Sequence, residues 1–166
     1  MELGSTIAGK SNWNEGNLEY LDLSDQGIIA LPENLGELNN LAELNLKNNS
    51  ISVLPGSSTN MESLLVLKIH NNLLTELPIT IGNLLSLEEL YLSGNQLTSI
   101  PESIGELQNL KKLFISDNQL TSLPSTICNL SEECNIQIED NCIAEFYDCI
   151  SDPGDQDVCF PLQIVD

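Results

Sequence analysis

The sequence LEELYLSGNQLTSIP, residues 87–101, recurs along the chain with a period of 23 residues. Neighbouring copies read LLVLKIHNNLLTELP at 64–78 and LKKLFISDNQLTSLP at 110–124. Each copy follows the pattern LxxLxLxxNxL and ends on an apolar residue and a proline. The five prolines are Pro32, Pro55, Pro78, Pro101 and Pro124. A fixed period of this length indicates a repeat architecture, in which each unit packs against its neighbours.

The two halves of each copy predict different local structures. The LxL half predicts a short strand, because alternate side chains of a strand point to the same side, and stacked copies would form a parallel sheet. The second half, such as PENLGEL at 32–38, opens on proline and spaces its apolar residues as a helical or 3₁₀ turn does. Burying an aliphatic side chain stabilises the fold by about 1.5–3 kcal/mol, and the conformational entropy lost on folding opposes this gain. A single unit cannot bury its leucines, so the gain offsets the entropy only when units are stacked.

The repeat resembles the leucine-rich-repeat family, specifically the 23-residue class with LPxxIGxL in its second half that is common in bacterial and plant intracellular proteins. The resemblance covers residues 18–143. It implies an α/β fold: a right-handed solenoid with a parallel β-sheet on its concave face and short helical or 3₁₀ turns on its convex face. We expect an N-terminal cap at 1–17, five repeats at 18–132, and an incomplete sixth repeat with a cysteine-rich acidic C-terminal cap at 133–166.

Both ends of such an array need a cover, because a bare terminal unit exposes apolar surface. At the front we expect Trp13 to cover the first unit, with stacking on a ligand as the alternative. At the back, the repeat register continues at Ile136, Ile138, Asn141 and Ile143, although Glu133 takes the place of the opening leucine. The aromatic residues predicted to plug this end are Phe146, Tyr147 and Phe160.

Two further features of the repeat carry structural predictions. One amide follows each strand, and we interpret the row as a buried ladder that binds turn backbone groups, with ligand binding as the alternative. Its members are Gln26, Asn49, Asn72, Asn95, Asn118 and Asn141. In the second unit, GSSTNM at 56–61 replaces the usual anchors with small polar residues. This segment predicts a looser convex loop, or alternatively a second surface site.

Charge and hydropathy exclude several classes of partner. The chain carries 25 acidic residues against five lysines and a formal net charge of −20, which should repel nucleic acid and anionic lipid. No apolar run reaches the length of about 18 residues that a membrane-spanning helix needs, so we expect no membrane insertion. Residues 1–10 lack a positive segment followed by an apolar one, so no secretion signal is visible.

All five cysteines lie in the last 39 residues: Cys128, Cys134, Cys142, Cys149 and Cys159. This clustering indicates a disulfide-stapled terminal cap and favours an extracellular or cell-surface location, whereas the repeat class favours the cytoplasm. Zinc is the alternative, but no CxxC pair or nearby histidine supports it. The run DPGDQD at 152–157 lacks the pattern of a calcium loop. We therefore predict no metal and no cofactor.

Side chains beside the strand leucines should project from the concave face in three columns. That face would collect three of the five lysines and the one histidine, beside Tyr91 and Phe114. Exposed aromatic residues in a polar surround are typical of interface hot spots. The predicted partner-binding residues are Lys47, Lys68, His70, Tyr91, Lys112 and Phe114. The alternative is that these residues only keep the sheet soluble.

The predicted function is a non-enzymatic binding scaffold that recognises a protein or peptide with acidic groups, in adhesion or partner capture. No serine or cysteine nucleophile is spaced to work with His70, and no phosphate-binding glycine loop is present. We expect no catalytic residues and a monomeric chain. The alternative function is a structural or surface protein that binds glycan or another extended surface.

Overall fold

A computed structural model describes residues 10–14, 16–145 and 147–150. Seven strands form one sheet in sequence order: β1 Lys10–Asn14, β2 Asn17–Asp22, β3 Glu43–Asn45, β4 Val66–Lys68, β5 Glu89–Tyr91, β6 Lys112–Phe114 and β7 Asn135–Gln137. From β2 to β7 all pairs are parallel, and each strand partners the residue 23 positions on, as Leu44 partners Leu67. The predicted parallel solenoid sheet is confirmed.

The front edge of the sheet is closed in a way that the repeat does not predict. Strand β1 runs antiparallel to β2, from Lys10 opposite Asp22 to Asn14 opposite Asn17, with an irregularity between Asn12 and Trp13. The backbone of β1 therefore satisfies hydrogen-bonding groups that an edge strand would expose. The side chain of Trp13, predicted to cover this end, lies outside the described residues.

Five short 3₁₀ helices occupy the other side of the stack: Glu33–Glu37, Gly56–Asn60, Ile81–Asn83, Glu102–Glu106 and Ser125–Asn129. Four of them follow directly on a repeat proline in an extended conformation. The proline carbonyl then accepts the first bond of the turn, as when the Leu35 amide donates to Pro32 at 3.0 Å. Among the described residues there is no α-helix, so the convex side consists of 3₁₀ turns and extended chain.

The core is a continuous aliphatic column between the sheet and the turns. The central strand leucines Leu44, Leu67, Leu90 and Leu113 are completely buried. The end units are less closed, because Leu18, Leu21 and Ile136 are only partly buried against the same core. This gradient follows from the stacking, since an end unit has a neighbour on one side only.

The expectation of a looser loop in the second unit was wrong. Residues 56–60 form a 3₁₀ helix, and Met61 after it is completely buried. Ser58 and Thr59 are also buried, and their hydroxyls donate to the carbonyls of Pro55 at 2.6 Å and Gly56 at 2.7 Å. Both hydroxyls therefore have partners, and Ser58 occupies a repeat position that holds leucine or isoleucine in the other units. The Ser57 hydroxyl of the same turn is buried and has no hydrogen-bond partner among the described residues.

The predicted amide ladder is confirmed from Asn49 onward. In each of these residues the side-chain amide donates to strand-end carbonyls, and its oxygen accepts a backbone N–H of the preceding unit. Gln26, in the first unit, departs from the row, because its side chain is exposed and donates to Ser24 instead. The ladder is therefore a structural feature, because the polar atoms of its side chains are hydrogen-bonded to the backbone.

The repeat register continues past the fifth unit as predicted. Ile138, Asn141 and Ile143 are buried, and strand β7 extends the sheet. Tyr147 is 39% exposed and its hydroxyl donates to the Leu123 carbonyl at 3.4 Å, so it covers this end only in part. Phe146 and Phe160 lie outside the described residues. The division into 1–17, 18–132 and 133–166 stays a proposal.

Candidate functional site

The strand register aligns the side chains on either side of the central leucine into two of the three predicted columns, and the third column follows them along the chain. We call the surface of these three columns the sheet face. The column before the central leucine holds Tyr20, Glu43, Val66, Glu89, Lys112 and Asn135, and the column after it holds Asp22, Asn45, Lys68, Tyr91, Phe114 and Gln137. Two positions further along the chain are Ser24, Lys47, His70, Ser93, Ser116 and Glu139. The six predicted binding residues are each partly exposed.

Two of the three lysines on the sheet face are held in ion pairs. Lys68 Nζ lies 2.6 Å from Glu43 Oε1, and Lys112 Nζ lies 2.8 Å from Glu89 Oε1. The hydrogen bond that Lys68 donates to Glu43 raises the pKa of Lys68, and the hydrogen bond that Lys112 donates to Glu89 holds the pKa of Glu89 below its ordinary value. Lys47 makes no ion pair with the described residues. A neighbouring carboxylate therefore offsets the charge of two of the three lysines on the sheet face.

The aromatic side chains form a row across three neighbouring repeats. The rings of Tyr91 and Phe114 meet edge to face at a centroid distance of 5.1 Å, and His70 lies 6.2 Å from Tyr91 on the other side. The Tyr91 hydroxyl donates to Glu89 Oε2 at 2.7 Å. Burial, followed by this bond, raises the Tyr91 pKa. Glu89 thus orients both Tyr91 and Lys112, so the row is held in place before any partner arrives.

His70 is a neutral member of this row. Its Nδ1 atom is buried and has no hydrogen-bond partner among the described residues. Burial lowers the His70 pKa below its ordinary value of 6.5, and the nearby charges of Lys47 and Lys68 lower it further. The imidazole is therefore uncharged at neutral pH, and it belongs with the aromatic residues of the sheet face and not with its cations.

The sheet face is close to electrical neutrality on a strongly acidic chain. Four carboxylates, from Asp22, Glu43, Glu89 and Glu139, stand against three lysines in the three columns, which leaves a net charge of −1. The whole chain carries −20. The low charge density and the aromatic row together make this surface suited to apolar and hydrogen-bonded contact with a partner.

The cysteines are placed apart from the sheet face, at the C-terminal end of the stack. Cys128 and Cys149 form a disulfide, and Cys142 is also disulfide-bonded. Cys134 is the free thiol of the described cysteines, and burial raises its pKa to about 11. Cys159 lies outside the described residues, as does the run 152–157. The disulfide-stapled cap is thereby supported by one defined bridge.

The described part of the chain contains neither a metal-binding cluster nor a membrane-spanning helix. No group of three histidine, cysteine or acidic side chains there is arranged to hold a metal ion. No helix there has the length and apolar character needed to cross a membrane.

Comparison with known sequences finds two family profiles. The profile described as a leucine-rich repeat region matches residues 10–94, just over half of the chain. A second, for leucine-rich repeats in two copies, matches residues 85–132. No curated protein sequence matches the chain.

Solved structures with this arrangement come from bacteria and plants. A leucine-rich-repeat protein of Leptospira interrogans is 33% identical over 78% of this chain, with a TM-score of 0.66. The ectodomain of the Arabidopsis thaliana receptor kinase GASSHO1/SCHENGEN3, in complex with Casparian strip integrity factor 2, is 34% identical over 70% of the chain, with a TM-score of 0.65. A plant peptide hormone receptor in complex with RGF2 is 36% identical over 68%, with a TM-score of 0.62.

These relatives are much longer than the chain. It covers 39% of the Leptospira protein, 14% of the receptor-kinase ectodomain and 19% of the peptide hormone receptor.

Proposed function

Because this chain belongs to the leucine-rich-repeat family, we propose that it is a non-enzymatic scaffold that binds a protein or peptide on its sheet face. The family and the fold support a binding scaffold in general. The finer proposal is supported by the aromatic row of His70, Tyr91 and Phe114, in which Tyr91 is held by its hydrogen bond to Glu89. The role is adhesion or partner capture.

The partner that fits this surface offers an apolar or aromatic anchor for the row. Tyrosine and neighbouring aromatic side chains are the residues from which interface hot spots are usually built. Acidic groups on the partner would meet Lys47, whose charge is not held in an ion pair with the described residues. Lys68 and Lys112 contribute less to charge recognition, since Glu43 and Glu89 offset them.

The likeness to receptor ectodomains supports a peptide or protein as the class of partner. Two of the similar structures are complexes, one with Casparian strip integrity factor 2 and one with RGF2. The Cys128–Cys149 disulfide supports an extracellular or cell-surface location. We propose that the chain acts there as a monomer, because a charge of −20 opposes self-association.

The test is capture of partners from an array of secreted proteins and glycans. A variant carrying Lys68→Ser, Tyr91→Ser and Phe114→Ser should lose protein capture by at least about tenfold, because its aromatic anchor is gone. A control with Ile29→Ser, Leu73→Ser and Leu85→Ser removes exposed apolar side chains outside the sheet face and should capture normally. Thermal unfolding of both variants checks that the stack is intact.

Two results would contradict the proposal. Unchanged capture by the sheet-face variant would move the binding site elsewhere on the chain. Capture of glycans alone would favour a structural protein that binds an extended surface.

A further inference from the structure

The third repeat, residues 64–86, exposes aliphatic side chains where the other repeats carry polar or small residues. Leu73 and Leu85 are 43% and 62% exposed, and Ile79 is 82% exposed. The repeat position of Ile79 holds Glu33, Gly56, Glu102 and Ser125 in the other units. Such a departure costs solubility and contributes nothing to the core, because the side chains remain in water.

One of these side chains borders a groove on the side of the stack away from the sheet face. Ile79 and Val53, which is 60% exposed, line a groove of about 420 Å³ together with the buried Leu54 and Leu77. Gly56 also lines it, and a methyl group added there would meet no atom within 4 Å. The groove is open because the second unit has glycine where the third has isoleucine.

The groove has negative charge around it and no cation beside it among the described residues. The exposed Glu76 is part of the lining of the groove. Gly56 and Ile79 occupy the same position in the second and third units, and that position holds Glu33 in the first unit and Glu102 in the fourth. None of the three carboxylates is in an ion pair with the described lysines. Three of those lysines are bound to Glu43, Glu88 and Glu89.

We propose that this groove is a second docking site, which binds an aliphatic side chain of a partner segment flanked by lysine or arginine. Leucine or isoleucine would fill the space between Val53 and Ile79, and the flanking cations would pair with Glu76 and the neighbouring carboxylates. Charge complementarity selects this occupant over a second copy of the chain, since each copy carries −20. The site is independent of the sheet face, so either can fail alone.

The test uses three short peptides as probes and methyl NMR as the measurement. Acetyl-Gly-Lys-Ile-Lys-Gly-amide should shift the methyl signals of Val53 and Ile79 in protein labelled at isoleucine, leucine and valine methyls. Gly-Lys-Ser-Lys-Gly lacks the aliphatic anchor and Gly-Glu-Ile-Glu-Gly reverses the charge, so each should bind at least about tenfold more weakly. Added salt should weaken the first peptide, because its charges are exposed.

Matched variants separate the groove from general surface hydrophobicity. The fifth unit already has a serine, Ser125, at the repeat position of Ile79, so Ile79→Ser should be compatible with the fold. This change should reduce binding of the lysine peptide at least about fivefold. Leu85→Ser, which copies Ser131 in the same way, should leave binding unchanged. Glu76→Gln should weaken binding and reduce its salt dependence.

Three outcomes would overturn the proposal. The first is equal binding of the lysine and glutamate peptides. The second is an equal loss of binding in Leu85→Ser and Ile79→Ser. The third is a concentration-dependent dimer, seen by light scattering, that Ile79→Ser abolishes, because a second copy would then be the occupant.

Discussion

The side chain of Asn95 joins two repeats through three hydrogen bonds. Its Nδ2 donates to the carbonyls of Ile69 at 3.1 Å and Leu92 at 2.8 Å, and its Oδ1 accepts the amide of Leu74 at 3.0 Å. All three backbone groups belong to completely buried residues, of which Ile69 and Leu92 directly follow strands and Leu74 lies further along the third repeat. One side chain therefore satisfies groups that the change of direction after each strand would otherwise leave unpaired.

Replacing this residue by alanine should be costly. Asn95→Ala leaves buried donors and acceptors without partners, and each such group costs about 1–3 kcal/mol, so we expect a loss of about 2–4 kcal/mol in the free energy of unfolding. Urea denaturation followed by circular dichroism measures it. Gln26→Ala is the control, because that amide is exposed, and should change stability by less than about 0.5 kcal/mol. Equal effects of the two changes would contradict the buried ladder.

On the sheet face, the positions of single residues could be predicted from the sequence, but their contacts could not. The three columns of the sheet face follow from the 23-residue period, and the strand register reproduces the two that lie within the strands. The partners within the columns do not follow from it, because Lys68 reaches diagonally to Glu43 whereas Lys112 reaches Glu89 in its own column. The neutral state of His70 depends on burial, which no spacing reveals.

At the scale of the element, three of the 3₁₀ turns approach the next turn closely at a glycine, whereas the same repeat position holds Thr59 in the second unit and Cys128 in the fifth. A methyl group added at Gly105 would lie against the carbonyl oxygen of Thr126 in the next turn, well inside van der Waals contact. Gly36 and Gly82, at the same repeat position, face the next turn in the same way. In the units that carry this glycine, the apolar residue before it packs in the core. The glycine itself, having no side chain, leaves room for the backbone of the next turn.

This packing predicts different effects for two glycine substitutions. Gly105→Ala should lower the free energy of unfolding by about 1–3 kcal/mol, because the neighbouring turn must move to admit the methyl group. Gly56→Ala is the control, since nothing lies within 4 Å of the added atom, and should change it by less than about 0.5 kcal/mol. Thermal and urea denaturation compare them. A neutral Gly105→Ala would mean that the turns are not in contact there.

The second unit shows why polarity misleads at this scale. Its serines and threonine predict a loose loop when each residue is judged by hydropathy alone. In the fold, Ser58 and Thr59 are buried and bonded to the backbone of their own turn, and Thr59 also meets Thr80 of the next unit at 2.9 Å. The turn geometry places the hydroxyls beside carbonyls, and only that geometry makes their burial favourable.

On the scale of the whole molecule, charge is distributed unevenly around the stack. The sheet face is nearly neutral, whereas the rest of the chain carries most of the 25 acidic residues. Two apolar surfaces lie among these carboxylates: the aromatic row on the sheet face and the aliphatic groove on the opposite side of the stack. The two proposed sites therefore select different partners, and both can be occupied together.

The state of the cysteines is a property of the whole chain and of its compartment. In unreduced protein unfolded with denaturant, alkylation followed by peptide mass mapping should label Cys134 and leave Cys128, Cys142 and Cys149 unlabelled. In the folded protein at neutral pH, Cys134 should react slowly, because a pKa of about 11 leaves little thiolate. Labelling of all five thiols without reductant would contradict the extracellular location and favour the cytoplasm.

The repeat, the parallel sheet, the buried leucine rows and the amide ladder all follow from the amino-acid sequence, because each depends on spacings within one unit that the period then copies. The features between units and at the ends follow only from the folded arrangement: the antiparallel strand β1, the diagonal ion pair, the lowered pKa of His70 and the groove beside Ile79. These depend on which side chains come within a few ångströms across the stack and on how much water remains beside them. Periodicity specifies neighbours, but only packing specifies distance and burial.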